Sequence, residues 1–152
     1  MNRTTMSEEI SVSVTRQSRY QFVVDFSPVA TPLVADEPPP IGDGIGPSPT
    51  QLLAAAMANC LSSSLVFAAA KYKEDPGPLT TTATCVIDRN EKNRLRVTAV
   101  NVTITLGNAP QSSDQLQRAL AQFEDFCTVS QSVHVGIPLS VTIRDHNGRT
   151  LR

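Results

Sequence analysis

The 152 residues carry 13 basic and 14 acidic side chains, so the chain is nearly neutral, which argues against nucleic acid or an anionic membrane surface as its main partner. The length suits a single domain, residues 1–152, with a proper core, and three cysteines are too few and too odd in number for a disulfide scaffold. Two histidines without CxxC or HxxxH spacing leave no structural zinc signature.

The N-terminal segment MNRTTMSEEI has no apolar stretch of the secretory kind, so a cytoplasmic location is expected and the cysteines are read as reduced thiols or a redox pair. Ile10, Val12 and Val14 alternate with polar residues and predict a half-buried strand. A turn at Gln17-Ser18, flanked by Arg16 and Arg19, leads to a partner strand over 20–26, and residues 33–35 allow a short third strand. Residues 36–49, DEPPPIGDGIGPSP, hold most of the glycine and proline and form a loop that delivers the chain to a helix.

That helix, over residues 48–73, organises the chain. Ser48 is a good N-cap and Pro49 suits the first helical position, where its missing N–H costs nothing. Leu53, Met57, Cys60, Ser64, Phe67 and Lys71 recur at three- and four-residue steps, which sets Cys60 on a face with large apolar side chains. No charge falls between Gln51 and Ala70, so the helix is expected to be covered on every side. The run is long enough for a membrane span. Gln51, Asn59 and Ser62-Ser63-Ser64 interrupt it, many of its apolar residues are small, and nothing like it recurs, so the reading is a central helix in a soluble core.

Asp75-Pro76-Gly77-Pro78 stops the helix, and strands follow over 79–88 and 94–106 with a turn between them; Cys85 lies in the first. A second helix is expected over 114–126, capped by Ser112 or Ser113, with Leu116, Ala119, Leu120, Phe123 and Phe126 as its apolar stripe. A short third helix begins at or just after Cys127, Gly136 ends it, and a strand over 137–144 follows; residues 1–8 and 146–152 are expected to fray. The class is α+β, with antiparallel sheet packed on helices.

A thiol becomes a nucleophile when a cation or a helix N-terminus stabilises its thiolate. Cys127 at a helix start would gain about 0.3–1 kcal/mol from the unpaired N–H groups, whereas Cys60, mid-helix, needs a cation such as Arg16 or Arg19. Without a cation a buried Cys60 is inert. Cys85, in a Thr-rich strand, reads as a structural thiol, His134 as a surface or packing histidine, and His146 as part of the tail.

Residues 46–61, GPSPTQLLAAAMANCL, resemble the "GPSP-x-x-LL-x-A-x-x-x-C" helix of the OsmC/Ohr superfamily, which spans osmotically inducible protein C and organic hydroperoxide resistance protein. Cys127-Thr128-Val129-Ser130 resembles the "CPVS" around that family's second cysteine, with Thr128 in place of proline, and Asp36-Glu37-Pro38 resembles the "DEP" of the OsmC-like branch. The resemblance implies an intertwined homodimer, antiparallel sheets packed around two long central helices, with active sites at the interface. It further implies a cysteine peroxidase for organic hydroperoxides, and in some members hydrogen peroxide, that uses no metal or organic cofactor. Cys60 would be the peroxidatic thiol, Cys127 the resolving thiol and Arg19, or Arg16 in its stead, the activating cation. An external dithiol would act as reductant, and Leu53, Met57 and Phe67 would line the substrate pocket. Neither nucleic acid nor a membrane is an expected partner. One position departs from the pattern: the family's peroxidases carry a glutamate ten residues before the first cysteine, and here Thr50 stands there, followed by Gln51. Neither holds a guanidinium as a carboxylate fork does. Asp36 or Glu37 would then substitute for the carboxylate. The alternative is an OsmC-like protein without peroxidase activity that binds a small apolar or thiol-reactive ligand.

Overall fold

The computed structural model describes residues 7–107 and 114–152, and the chain divides into two compact units, Met1–Gln51 and Leu52–Arg152.

In the first unit, β1 (Ser13–Ser18), β2 (Gln21–Asp25) and β3 (Leu33–Ala35) form an antiparallel meander in that order. The register pairs Thr15 with Val23 and Phe22 with Ala35. The expected turn at Gln17-Ser18 falls two residues later. A bulge between Arg16 and Ser18 extends β1, and Arg19 takes the left-handed conformation (φ 43°) that closes the hairpin. The half-buried strand expected at Ile10, Val12 and Val14 is also corrected. Ile10 and Val12 precede β1, and all three side chains are exposed.

The loop after β3 is built around Asp36. Its buried carboxylate accepts from the backbone N–H of Glu37 (2.8 Å), Asp43 (3.1 Å) and Ile45 (3.2 Å), so a segment too rich in proline and glycine for helix or strand still has one fixed shape. Gly46 passes so close to Val34 that a Cβ there would collide with the Val34 carbonyl oxygen. The loop ends in a reciprocal cap. The Ser48 N–H donates to Gln51 Oε1 (2.8 Å) and the Gln51 N–H to Ser48 Oγ (3.2 Å), which starts α1 (Pro49–Lys71).

The second unit holds the main core. β4 (Leu79–Arg89), β5 (Leu95–Leu106) and β6 (Leu139–Arg144) lie in the order β4-β5-β6. β4 and β5 pair antiparallel as expected from the hairpin, and Asn90 shapes their turn by accepting from the N–H of Lys92 and Arg94. β6 joins β5 in parallel, because the helices intervene between the two strands in sequence and carry the chain back to the same end. Alternate residues of β5, namely Val100, Val102, Ile104 and Leu106, face inward and are buried. Met57, Leu61, Leu65, Ala68 and Ala69 of α1 join that core, with Ile143 of β6 and with Leu116, Ala119 and Leu120 of α2 (Asp114–Gln122).

The expected second helix tightens into a 3₁₀ turn over Phe123–Phe126, Phe123 inside and Phe126 outside, before α3 (Thr128–Val133). Its expected caps, Ser112 and Ser113, lie outside the described residues. The segment after β6, expected to fray, turns at Asp145 and pairs back: the Ile143 N–H donates to the Arg152 carbonyl and the Leu151 N–H to the Ile143 carbonyl. Arg152 also reaches Glu124 (2.6 Å), which ties the chain end to the 3₁₀ turn.

Among the described residues, α1 is not covered on every side as expected. Ala55, Ala56, Asn59, Ser63, Val66, Phe67 and Ala70 form a continuous exposed stripe opposite the buried face. α1 has the length and mean hydropathy (1.8) of a membrane span, yet its Met57–Ala69 side supplies the core of the second unit.

Candidate functional site: a pair of thiols

Cys60 lies midway along α1, half-buried, and Cys127 lies at the start of α3 with no exposed surface. The two elements bring the thiols together as side-chain hydrogen-bonding neighbours, and both are free in this structure. Cys127 is itself the N-cap of α3. Its extended backbone (φ −85°, ψ 96°) turns the sulfur back over the helix, where it accepts from the Ser130 N–H at 3.4 Å. Its own N–H donates to the Glu124 carbonyl (3.0 Å), and the Gln131 side chain donates to the same oxygen, so the 3₁₀ turn and the short helix clamp the residue from both sides.

The expected thiolate-favouring helix start at Cys127 is outweighed. Burial pushes its thiol above the ordinary value of 9.0, and the adjacent Cys60 thiol pushes the same way. The Ser130 side chain and N–H pull downward without prevailing. Cys127 therefore rests as a neutral thiol.

Cys60 opens onto a cavity of about 360 Å³ that is lined by Ser63, Ser64, Phe67 and Phe126 as well. Phe67 and Phe126 meet edge to face at 5.2 Å between centroids, and the Lys71 ammonium stands 4.3 Å from the Phe126 ring centre and 5.3 Å from that of Phe67. Of the expected lining residues, Phe67 faces this cavity. Met57 is fully buried in the core and Leu53 packs against it; neither lines the cavity. Ser64 lies on the face of α1 expected to carry Cys60, whereas Ser63 and Phe126 are lining residues that the periodicity does not mark. Phe126 fits the apolar stripe of a continuous helix, and the change to 3₁₀ geometry after Gln122 turns it outward beside Cys127.

Arg19 belongs to the first unit. Its guanidinium donates to Asp43 Oδ1 (2.7 Å) and to the Ile41 carbonyl (3.1 Å), while Gln21 donates to Asp43 Oδ2 (3.1 Å). The carboxylate that orients Arg19 is thus Asp43, seven residues past the expected Asp36, whose own oxygens are occupied by backbone N–H groups. Arg16 donates through Nε to the Arg19 carbonyl (2.9 Å) and so braces the turn. Thr50 and Gln51 supply no charge, and Gln51 is engaged in the helix cap. Cys85 sits half-buried on β4, where burial raises its pKa. His134 closes α3, its Nδ1 against the carbonyls of Ser130 (3.2 Å) and Gln131 (2.9 Å).

An α+β chain with a long helix bearing one thiol and a short helix capped by a second defines a class of paired-cysteine proteins. Residues 42–142 match the profile of the OsmC-like protein family, and the chain belongs to that family. No curated protein is a significant match. Among solved structures, the chain is similar to a Psychrobacter arcticus protein described as an osmotic stress induced and detoxification response protein (24% identity, TM-score 0.75, covering 91% of this chain and 98% of that one). It is also similar to a Vibrio cholerae protein described as an organic hydroperoxide resistance protein, with captopril bound in one of its active sites (22%, 0.69, 99% and 100%). The organic hydroperoxide resistance protein OhrB of Bacillus subtilis shares the fold as well (17%, 0.67, 88% and 98%). Family and fold make α1 the core helix of a soluble fold.

Proposed function

We propose that this protein is a cytoplasmic, cysteine-based peroxidase that reduces organic hydroperoxides. The observation that carries the reading is the juxtaposition of an accessible thiol, Cys60, at an apolar cavity with a buried neutral thiol, Cys127. In the proposed reaction the Cys60 thiolate attacks the hydroperoxide oxygen, the O–O bond breaks, and the alkoxide leaves as alcohol after taking a proton. Cys60 becomes a sulfenic acid. The Cys127 thiol then condenses with it, releasing water and forming a disulfide that an external dithiol reduces. Phe67 and Phe126 suit the organic body of the substrate, with Leu53 and Met57 as the apolar backing. Arg19, oriented by Asp43, is the proposed activating cation. An intertwined homodimer is the proposed assembly.

The second reading, an OsmC-like protein that binds a small apolar or thiol-reactive ligand without reducing it, is favoured by one observation: Thr50 and Gln51 offer no carboxylate. One equivalent of cumene hydroperoxide separates the two. The peroxidase loses two free thiols within seconds, and Cys60→Ser abolishes the loss. Unchanged thiols at neutral pH, or equal loss in Cys60→Ser, would leave the binding protein.

A further inference from the structure

Ser130 follows Cys127 by one helical turn and is buried, with 1% of its surface exposed. Among the described residues its Oγ is the one buried side-chain oxygen or nitrogen that lacks a hydrogen-bond partner. A buried hydroxyl left unpaired is costly, which makes an unpaired hydroxyl beside a reactive sulfur a donor without an acceptor in the resting state. Its N–H is already committed to the Cys127 sulfur, which fixes the residue against that atom. The Ser130 side chain acts on the Cys127 thiol in the direction that favours a thiolate, and its Oγ meets no acceptor at hydrogen-bonding geometry.

We propose that the Ser130 hydroxyl is the donor that stabilises Cys127 as the leaving thiolate when the Cys60–Cys127 disulfide is reduced. The inference rests on the peroxidase reading for the existence of that disulfide in turnover. Access decides the direction of attack. Cys60 faces the cavity and Cys127 has no exposed surface, so an external dithiol reaches the Cys60 sulfur. One reductant thiol, having lost its proton to solvent, forms an S–S bond to Cys60. The Cys60–Cys127 bond breaks, and its electron pair passes to the Cys127 sulfur. Ser130 rotates to donate to that thiolate, which later takes a proton. The second reductant thiol then displaces Cys60, leaving two protein thiols and an oxidised reductant. The leaving thiol's affinity for negative charge sets the rate of such an exchange. Of the charged groups around this pair, the Glu124 carboxylate is turned to Arg152 and the Lys71 ammonium sits over the Phe67 and Phe126 rings, while Cys60 is the redox partner itself.

The test compares native protein, Ser130→Ala and Ser130→Thr, each oxidised to the disulfide with diamide so that peroxide chemistry is bypassed. Reduction by dithiothreitol should slow about tenfold in Ser130→Ala, as expected for a lost hydrogen bond to a charged group, and recover in Ser130→Thr. In a Cys60→Ser, Cys85→Ser background Cys127 is the single thiol. There the thiolate absorbance midpoint should rise by about one pH unit in Ser130→Ala. Equal reduction rates and equal midpoints would overturn the proposal, as would failure of diamide to join Cys60 to Cys127. A native protein that joins the two with diamide but not with a hydroperoxide would sink the peroxidase reading while leaving the Ser130 contact standing on its own measurements.

Discussion

Asp36 and Cys127 are buried ionisable groups that answer to opposite forces. At Asp36 burial opposes ionisation, but backbone donors from Ile45, Glu37, Asp43 and Gly44 outweigh it and hold the carboxyl below its ordinary value of 3.8. A depressed folded value means the ionised group stabilises the fold above that ordinary value, and the contribution is lost as pH falls through the folded one. Asp36→Asn should therefore flatten the acid side of the stability profile below about pH 4. At neutral pH it should speed hydrogen exchange at the amides of Asp43 and Ile45; unchanged exchange there would show that the loop does not depend on this carboxylate. At Cys127 the shift is upward, so its stabilising contribution is complete below 9.0 and fades as pH rises through the folded value. In the reduced protein at pH 7, iodoacetamide should label Cys60 well before Cys127, since a buried neutral thiol is a poor nucleophile. Peptide mass spectrometry reads the order, and simultaneous labelling would contradict the burial argument.

At the scale of elements, the sequence was most legible where a local rule decided the outcome. Ser48 and Pro49 mark the start of α1, and the alternation through Val100, Val102, Ile104 and Leu106 gives β5 its inward face. Local rules failed where a tertiary contact chose between near-equal options. The first hairpin turns at Arg19 because its side chain finds Asp43 and its backbone accepts from Arg16, partners that no short-range pattern announces. Phe126 fits a helical stripe equally well on paper, and the switch to 3₁₀ geometry moved it from the core to the cavity. The pairing of Cys60 with Cys127 was legible only through resemblance, since nothing in their separation along the chain implies proximity. One legible feature gives a quantitative expectation. The reciprocal cap between Ser48 and Gln51 satisfies donors that the first turn of α1 would otherwise leave open. Ser48→Ala should cost about 1 kcal/mol in urea unfolding, and Ser48→Asp should restore most of it. A loss below about 0.3 kcal/mol would mean that solvent caps the helix equally well.

The whole molecule poses the question of what covers α1. A helix without charge from Gln51 to Ala70 buries one side and leaves Ala55, Ala56, Asn59, Ser63, Val66, Phe67 and Ala70 open, with Val66 and Phe67 exposing 47% and 53% of their surface. The edge strand β1 of the first unit is similarly bare, since every one of its residues is exposed. Soluble chains rarely leave apolar stripes of this length uncovered. Three of its seven residues are alanine and one is serine, small side chains that permit close approach of a second helix, and the proposed intertwined dimer would place such a helix there. Sedimentation of the native protein should then give about twice the chain mass of 16.4 kDa. Ala56→Glu, which puts a charge near the N-terminal end of the stripe, should weaken the dimer about a hundredfold, because an unpaired carboxylate would have to leave water. The charge lies on the exposed side of α1, so the isolated chain should keep its fold by circular dichroism. A native protein that sediments as a monomer would remove the dimer. A dimer indifferent to Ala56→Glu would move the interface to another surface, with the open sheet of the first unit as the next to test.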